Sequence, residues 1–227
     1  MDITEAILKR KSVRAFSPGK VPRETLSEIL ELALRAPSWG NIQPWEFAVV
    51  GGEKLEEIRQ SLIQRVEEKP APDFPPPGEL PARYNERRRA ISNKVFKAKE
   101  IEGNDRATKD AWRIMGIMMF DAPCIIYICL DRALLYQTGN VNIWTVFDCG
   151  LVAENIMLLA TAEGLGTIPL LEAAFYPDVL RKALKLPESK LILMGIAIGY
   201  PDANNPVNRV HSERDSLANV STWYSLD

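Results

Sequence analysis

Apolar residues recur along this chain in two rhythms, and their order predicts the architecture. Near the start, Ile3, Ala6 and Ile7 mark a short amphipathic helix with Asp2 or Thr4 as its N-cap. Between Pro22 and Pro37, Leu26, Ile29, Leu30 and Ala33 keep the 3.6-residue period of a longer one. Trp45 to Val50 then reads as a strand entering the core, ended by Gly51-Gly52. A helix from about Glu53 to Val66 follows, with Leu55, Ile58 and Leu62 on one face.

Pro123 to Leu130 is an unbroken apolar run, the pattern of a strand buried on both faces at the centre of a sheet. Ile143 to Ala162 reads as one helix that is apolar nearly all round, interrupted chiefly by Asp148, Glu154 and Asn155. A membrane span needs roughly 20 apolar residues with few or no charges, so these interruptions place the helix between the sheet and a partner subunit instead. Gly164-Leu165-Gly166-Thr167 ends it in a glycine turn, and Ile168 to Glu172 continues as an extended segment. A short helix from about Pro177 to Leu184 precedes the last strand, Leu191 to Ile198, which stops at Gly199-Tyr200-Pro201.

Two stretches break the rhythm. Pro37 to Pro44 carries two prolines, a glycine, a serine and an asparagine, which makes it a loop with backbone groups free to meet something. Lys69 to Pro81 is too proline-rich for a helix or a central strand and is expected to be an extended excursion. It feeds a basic helix over Arg83 to Glu102 and a second helix over Asp105 to Phe120, whose apolar residues thicken toward its end. The reading is a single domain over 1–227 with a helical insertion at about 69–120, serving as a lid over a site, an arm gripping a second subunit, or both.

A net charge of −2 argues against a nucleic-acid binder, so any basic site is local. Cys124, Cys129 and Cys149 form no C-x-x-C pair and sit in apolar surroundings, as reduced buried thiols of a cytoplasmic protein would. The first residues lack the apolar core of a signal peptide. A lone histidine, His211, makes a His-based metal site or a Ser-His-Asp triad a poor fit.

Two basic clusters remain, Arg10-Lys11-Ser12-Val13-Arg14 and Asn208-Arg209 through Arg214, together with the loop Ala36 to Trp45. The first has a phosphate-binding composition, and its Arg10 and Lys11 fall where a helix C-terminus favours cations even without a ligand. No P-loop, dinucleotide glycine fingerprint, H-E-x-x-H or G-x-S-x-G is present, and no protein acid, base or nucleophile stands out. That absence points to a cofactor that carries the chemistry.

The ordered set R-x-S-x-R (Arg10, Ser12, Arg14), A-P-S-x-x-N-x-Q-P-W (Ala36 to Trp45), G-L-G-T (Gly164 to Thr167), G-Y-P (Gly199 to Pro201) and the C-terminal arginines resembles the FMN-dependent nitroreductase family. The resemblance implies an α+β fold, with a mixed, mainly antiparallel central sheet surrounded by helices, in an intertwined homodimer. It implies FMN at the dimer interface and NAD(P)H-driven, ping-pong reduction of a small-molecule electron acceptor such as a nitroaromatic or quinone. Alternatives are a reductive dehalogenase, a flavin-consuming enzyme, or a non-catalytic flavin-binding sensor.

By the same resemblance, Arg10, Lys11, Ser12 and Arg14 form the first FMN segment, with Arg10 and Ser12 toward the phosphate and ribityl chain and Arg14 toward the isoalloxazine N1/O2 edge. Pro37, Ser38, Trp39 and Asn41 form the loop that reaches FMN from the other subunit. Trp39, where a small residue is common, either stacks near the substrate or fills the interface. Pro169, Leu170, Leu171 and Glu172 approach flavin N5, and Arg209 or Arg214 meets the phosphate. An Asn and a Lys that the family often supplies before the second core strand have no counterpart here, Arg113 being the only nearby cation. These motifs lie outside the insertion, which is therefore expected to bear on acceptor choice more than on FMN binding.

Overall fold

The computed structural model describes residues 1–101, 106–135 and 142–225. Helix α1 (Ile3–Lys9) starts on Asp2, whose carboxylate accepts from the Glu5 N–H at 2.8 Å. Helix α2 (Arg23–Ala33) follows Pro22, and β1 (Trp45–Gly51) leads into α3 (Gly52–Ile63) through Gly52 at φ +58°, a backbone state that favours glycine. The insertion carries α4 (Ala82–Ala98) and α5 (Arg106–Ile117). Helix α4 stops at Ala98, short of the expected Glu102, because the chain turns at Lys99 and Glu100, the latter at φ +56°, and the expected start of the second helix at Asp105 lies outside the described residues. Then come β2 (Cys124–Asp131), α6 (Arg132–Leu135), α7 (Ile143–Ala162), β3 (Gly166–Leu170), α8 (Pro177–Leu184), β4 (Lys190–Gly199) and α9 (Leu217–Val220).

The strands form one sheet in the order β1-β2-β4-β3, with every neighbouring pair antiparallel. This is the α+β arrangement expected, and β2 lies inside the sheet with all residues from Cys124 to Leu130 buried. Alternation along the strands feeds two cores. Ile126, Ile128, Leu130, Ile196 and Ile198 pack with α2 and α7 on one face, while Ile125, Tyr127, Cys129, Ile192 and Ala197 pack with α3 and α8 on the other.

One extended segment is shifted from its expected place. β3 begins at Gly166 rather than Ile168, because Gly166 and Thr167 already pair with Gly199 and Ile198. It ends at Leu170, and Glu172 to Ala174 turns into a short 3-10 helix. Likewise α5 stops at Ile117, short of Phe120, because Met119, Phe120 and Asp121 take φ of 58°, 51° and 55°.

Each polar interruption of α7 has a structural partner. Asp148 accepts from the Trp39 N–H at 3.1 Å, Asn155 donates to the Ala33 carbonyl at the end of α2 at 3.2 Å, and Glu154 lies 3.4 Å from Arg10. The helix is thereby tied to the loop after α2, to α2 itself and to the first basic cluster. By length and composition α7 is long and apolar enough to cross a bilayer, yet its residues from Thr145 to Ala160 bury one side against the sheet. Its other side leaves Ile143, Trp144 and Phe147 exposed.

Cys124, Cys129 and Cys149 are free and buried, and burial pushes each thiol up to about 12, so they stay protonated at neutral pH. The proline-rich excursion is fixed by one buried ion pair. Asp73 receives Arg181 Nη2 at 2.7 and 2.6 Å on its two oxygens and accepts the Ile192 N–H at 2.8 Å, with both side chains about nine-tenths buried. Removing one partner of such a pair strands a charge, so Asp73→Ala is expected to lose about 3–5 kcal/mol in denaturant unfolding. A loss under about 1 kcal/mol, the value of a solvated surface pair, would show that the latch is not buried in solution.

Candidate functional site

The edge of β3 receives the segment after α1. Val13 N–H donates to the Thr167 carbonyl at 2.9 Å in a parallel bridge centred on Ser12 and Thr167, and Ser17 N–H donates to the Tyr200 carbonyl at 2.8 Å beside a bridge from Phe16 to Pro201. Close approach here depends on Gly166, since a Cβ on it would lie 2.5 Å from Val13 Cγ2 and 2.9 Å from Pro201 Cγ. The R-x-S-x-R, G-L-G-T and G-Y-P motifs therefore meet in one place.

Buried Asn208 locks this junction. Its Oδ1 accepts the Arg14 N–H at 2.8 Å, and its amide donates to the carbonyls of Ala15 at 2.7 Å and Asp202 at 2.9 Å. The sequence marked Asn208 only as the start of a basic cluster; a side-chain amide bridging two distant segments leaves no local signature. Beside it, the Thr167 hydroxyl oxygen is buried with no partner among the described residues.

Arg14 turns from this junction into a cleft of about 390 Å³. Its guanidinium donates to the Ser12 carbonyl at 3.2 Å and makes no ion pair among the described residues. Burial lowers its pKa from the usual arginine value, and the charge of Glu172 opposes that shift. A half-buried cation with so little compensation is suited to an anionic partner. Pro169, Leu170 and Glu172 line the same cleft.

The opposite wall comes from the insertion. Trp112 stands between Phe96, at 6.5 Å edge-on, and Phe120, at 5.1 Å tilted, and all three rings line the cleft. Phe120 sits in the left-handed turn noted above, which buried Arg59 holds by donating to the Met118 carbonyl at 3.1 Å and the Ala122 carbonyl at 2.5 Å. Three successive non-glycine residues in that conformation are strained, and such strain persists only where its surroundings enforce it. Arg88, Lys109 and Arg113 add positive charge to the wall. Sequence reading identified Arg113 alone near β2; the i, i+3, i+4 spacing of Lys109, Trp112 and Arg113 on α5 was the signal for a shared face.

Other predicted residues lie elsewhere. Arg10 is mostly buried against α7 through Glu154. Lys11 lines a separate depression with Thr161, Gly164 and Leu165. Pro37, Ser38, Trp39 and Asn41 sit on the α7 side of the molecule, away from the Arg14 cleft of their own chain; Ser38 Oγ accepts the Gln43 N–H at 3.0 Å, and the Trp39 side chain is exposed. Leu171 lies between Leu170 and Glu172 without lining the cleft. Arg209 is exposed at the end of a 3-10 turn (Pro206–Arg209), and Arg214, which donates to Ser212 Oγ at 2.6 Å, lines a neighbouring cleft of about 450 Å³ against α4.

The Nitroreductase family profile matches residues 7–200. The chain is 31% identical over 222 residues to nitroreductase NfnB of Mycolicibacterium smegmatis, covering 96% of this chain and 92% of that one. It is 27% identical to the 4-nitrobenzoate reductase of Pseudomonas putida, over 100% of this chain and 97% of the relative. In three dimensions it superposes on the FMN- and NADPH-dependent nitroreductase NfnB of Sphigopyxis sp. strain HMH with a TM-score of 0.92, 30% identity and all of both chains covered. Against the NfnB of Mycobacterium smegmatis in complex with NADPH the TM-score is 0.88, with 29% identity over 98% of this chain and 100% of that one. A match that spans most of the chain makes this protein a member of the nitroreductase family.

Proposed function

We propose that the protein is an FMN-dependent oxidoreductase that uses NAD(P)H to reduce a nitroaromatic, a quinone or a similar electrophilic acceptor, the two substrates occupying one cleft in turn. The observation that carries this reading is Arg14: half-buried, without an ion-pair partner among the described residues, and fixed by Asn208 at the rim of an aromatic-walled cleft. The donor set fits FMN. A fixed cation at this edge would stabilise the negative charge that a reduced flavin carries at N1. The Thr167 hydroxyl, buried without a partner among the described residues beside Ser12, offers a hydrogen-bonding group, and Arg10 engages Glu154 through Nε, leaving its terminal nitrogens for a phosphate.

Bound FMN would supply the hydride-accepting and electron-donating chemistry. Around it the chain's residues would bind and orient: Arg10 and Ser12 toward the phosphate and ribityl chain, Arg14 toward the N1/O2 edge, and the backbone of Pro169, Leu170, Leu171 and Glu172 toward N5. Phe96, Trp112 and Phe120 would exclude water from the reacting face. For a nitro group, the first two-electron step consumes one NAD(P)H and one proton and yields the nitroso compound, NAD(P)+ and water.

The same reading makes the working unit a homodimer. Ile143, Trp144 and Phe147 expose a contiguous apolar strip of α7, Trp39 lies in the loop that Asp148 ties to that helix, and Leu217, Val220, Trp223 and Tyr224 expose apolar surface near the C-terminus. Pro37, Ser38, Trp39 and Asn41, placed away from their own chain's cleft, would then serve the FMN of the partner. The insertion at about 69–120 would act as a wall and cover of the site.

Purified protein is expected to be yellow, to release FMN and not FAD on denaturation, to bleach anaerobically with NAD(P)H, and to recolour on adding a nitroaromatic. A colourless protein that takes up no FMN would contradict the reading; one that binds FMN but does not bleach would be a flavin-binding sensor instead. In sedimentation at decreasing concentration, FMN and the dimer are expected to be lost together. A monomer holding stoichiometric FMN would contradict the shared site.

A further inference from the structure

The cations of α4 differ in how their charge is used. Arg83 lies 3.2 Å from Asp215, Arg87 pairs with the same carboxylate, and both guanidinium groups lie near the Tyr84 ring, at 5.9 and 5.8 Å from its centroid. Lys94 pairs with Glu213. These three fasten the C-terminal segment to α4, and their charge is spent on it. Arg88 alone among the cleft-lining arginines of α4 has no acidic partner among the described residues. Its Nε and Nη2 donate to Asn85 Oδ1 at 3.3 and 3.0 Å, which orients the exposed guanidinium and leaves Nη1 without a partner among the described residues.

Arg88 also occupies a junction. It lines the Arg14 cleft, the cleft of about 450 Å³ against Ser212 to Asp215, and a third of about 510 Å³ formed with Pro76 to Leu80. In the middle cleft, Arg14, Arg88, Lys109 and Arg113 face a single carboxylate, Glu172. Arg113 is partly compensated by Asp110 at 3.8 Å, and Glu79 adds one acid in the third cleft. The surplus is positive, and it lies beside the rings of Phe96, Trp112 and Phe120.

Resting on the oxidoreductase reading above, we propose that Arg88 determines acceptor specificity by binding a carboxylate carried on a planar aromatic acceptor, with Asn85 as its positioning residue. Aromatic rings adjoining an oriented arginine fork match an arene acid, in which one end stacks and the other accepts two parallel hydrogen bonds. A sugar phosphate would use the charge but not the rings.

The test compares 4-nitrobenzoate with 4-nitrobenzamide, a near-isosteric uncharged acceptor, in the wild-type holoenzyme, Arg88→Gln and Arg88→Lys. In Arg88→Gln, kcat/KM for the benzoate is expected to fall about 10- to 100-fold, with the amide changed less than about twofold. Arg88→Lys should fall between, because lysine keeps the charge and loses the fork. Flavin content should not change, and because NADPH uses the same cleft its anaerobic bleaching rate is measured separately and is expected to fall less than kcat/KM for the benzoate. Equal losses on both acceptors, no loss on the benzoate, or a loss confined to the NADPH step would overturn the assignment. A wild-type protein that binds no flavin would overturn the oxidoreductase reading and this inference together, whereas a yellow, bleachable protein with equal losses would overturn only this inference.

Discussion

The structure depends on how closely the Ser12 to Ser17 segment can lie against the end of β3. That approach is allowed because Gly166 has no side chain where Val13 and Pro201 press in, and it is held by the Val13 to Thr167 hydrogen bond and the three contacts of Asn208. The cleft follows from it. Arg14 can be half-buried without an ion pair among the described residues only because its backbone is fixed at both sides; a mobile arginine would swing into water and lose the electrostatic pressure that suits it to an anionic ligand.

A second constraint works from the opposite face of the sheet. Helix α7 is apolar enough to need burial nearly all round, and its few polar side chains are each used to join a neighbouring element: Asp148 the loop at Trp39, Glu154 the side chain of Arg10, Asn155 the end of α2. Arg10 and the Pro37 to Asn41 loop are therefore positioned by the same helix that presents Trp144 and Phe147 outward. The residues proposed to contact the cofactor and the apolar outer strip share one scaffold, which gives a physical reason to expect binding and association to be coupled.

Much of the fold was legible because it is local. The 3.6-residue period gave α2, the 20-residue, nearly all-apolar stretch gave α7, the shorter apolar run gave β2, and Pro177 at a first helical turn gave α8. What was not legible depends on partners distant in sequence. The start of β3 at Gly166 is set by pairing with Gly199, and the excursion at Asp73 is fixed by Arg181, 108 residues away. The left-handed turn at Met119 to Asp121 has no glycine to announce it, and it exists because Arg59 satisfies the carbonyls on either side. In the candidate site, Arg14, Pro169, Leu170 and Glu172 line one cleft. The 69–120 segment contributes Arg88, Phe96 and Trp112 to the lining of the Arg14 cleft, which its composition did not announce. Side chains on α4 and α5 carry helical periodicity, but nothing in that periodicity says what the polar face meets.

The most direct test of this account is an FMN titration of Gly166→Ala, run beside a thermal melt that confirms the protein is folded at the titration temperature. A methyl group placed 2.5 Å from Val13 Cγ2 must push the segment off β3. Overpacking of this kind costs roughly 1–3 kcal/mol of stability. The account predicts that FMN affinity falls by about tenfold or more, in line with the loss of a charge-assisted contact, and that Val13→Ala added to Gly166→Ala restores only part of it, because the 2.5 Å clash is removed while Val13 Cβ and Pro201 Cγ stay at 2.9 Å. Unchanged FMN affinity in folded Gly166→Ala would contradict the claim that this junction builds the site.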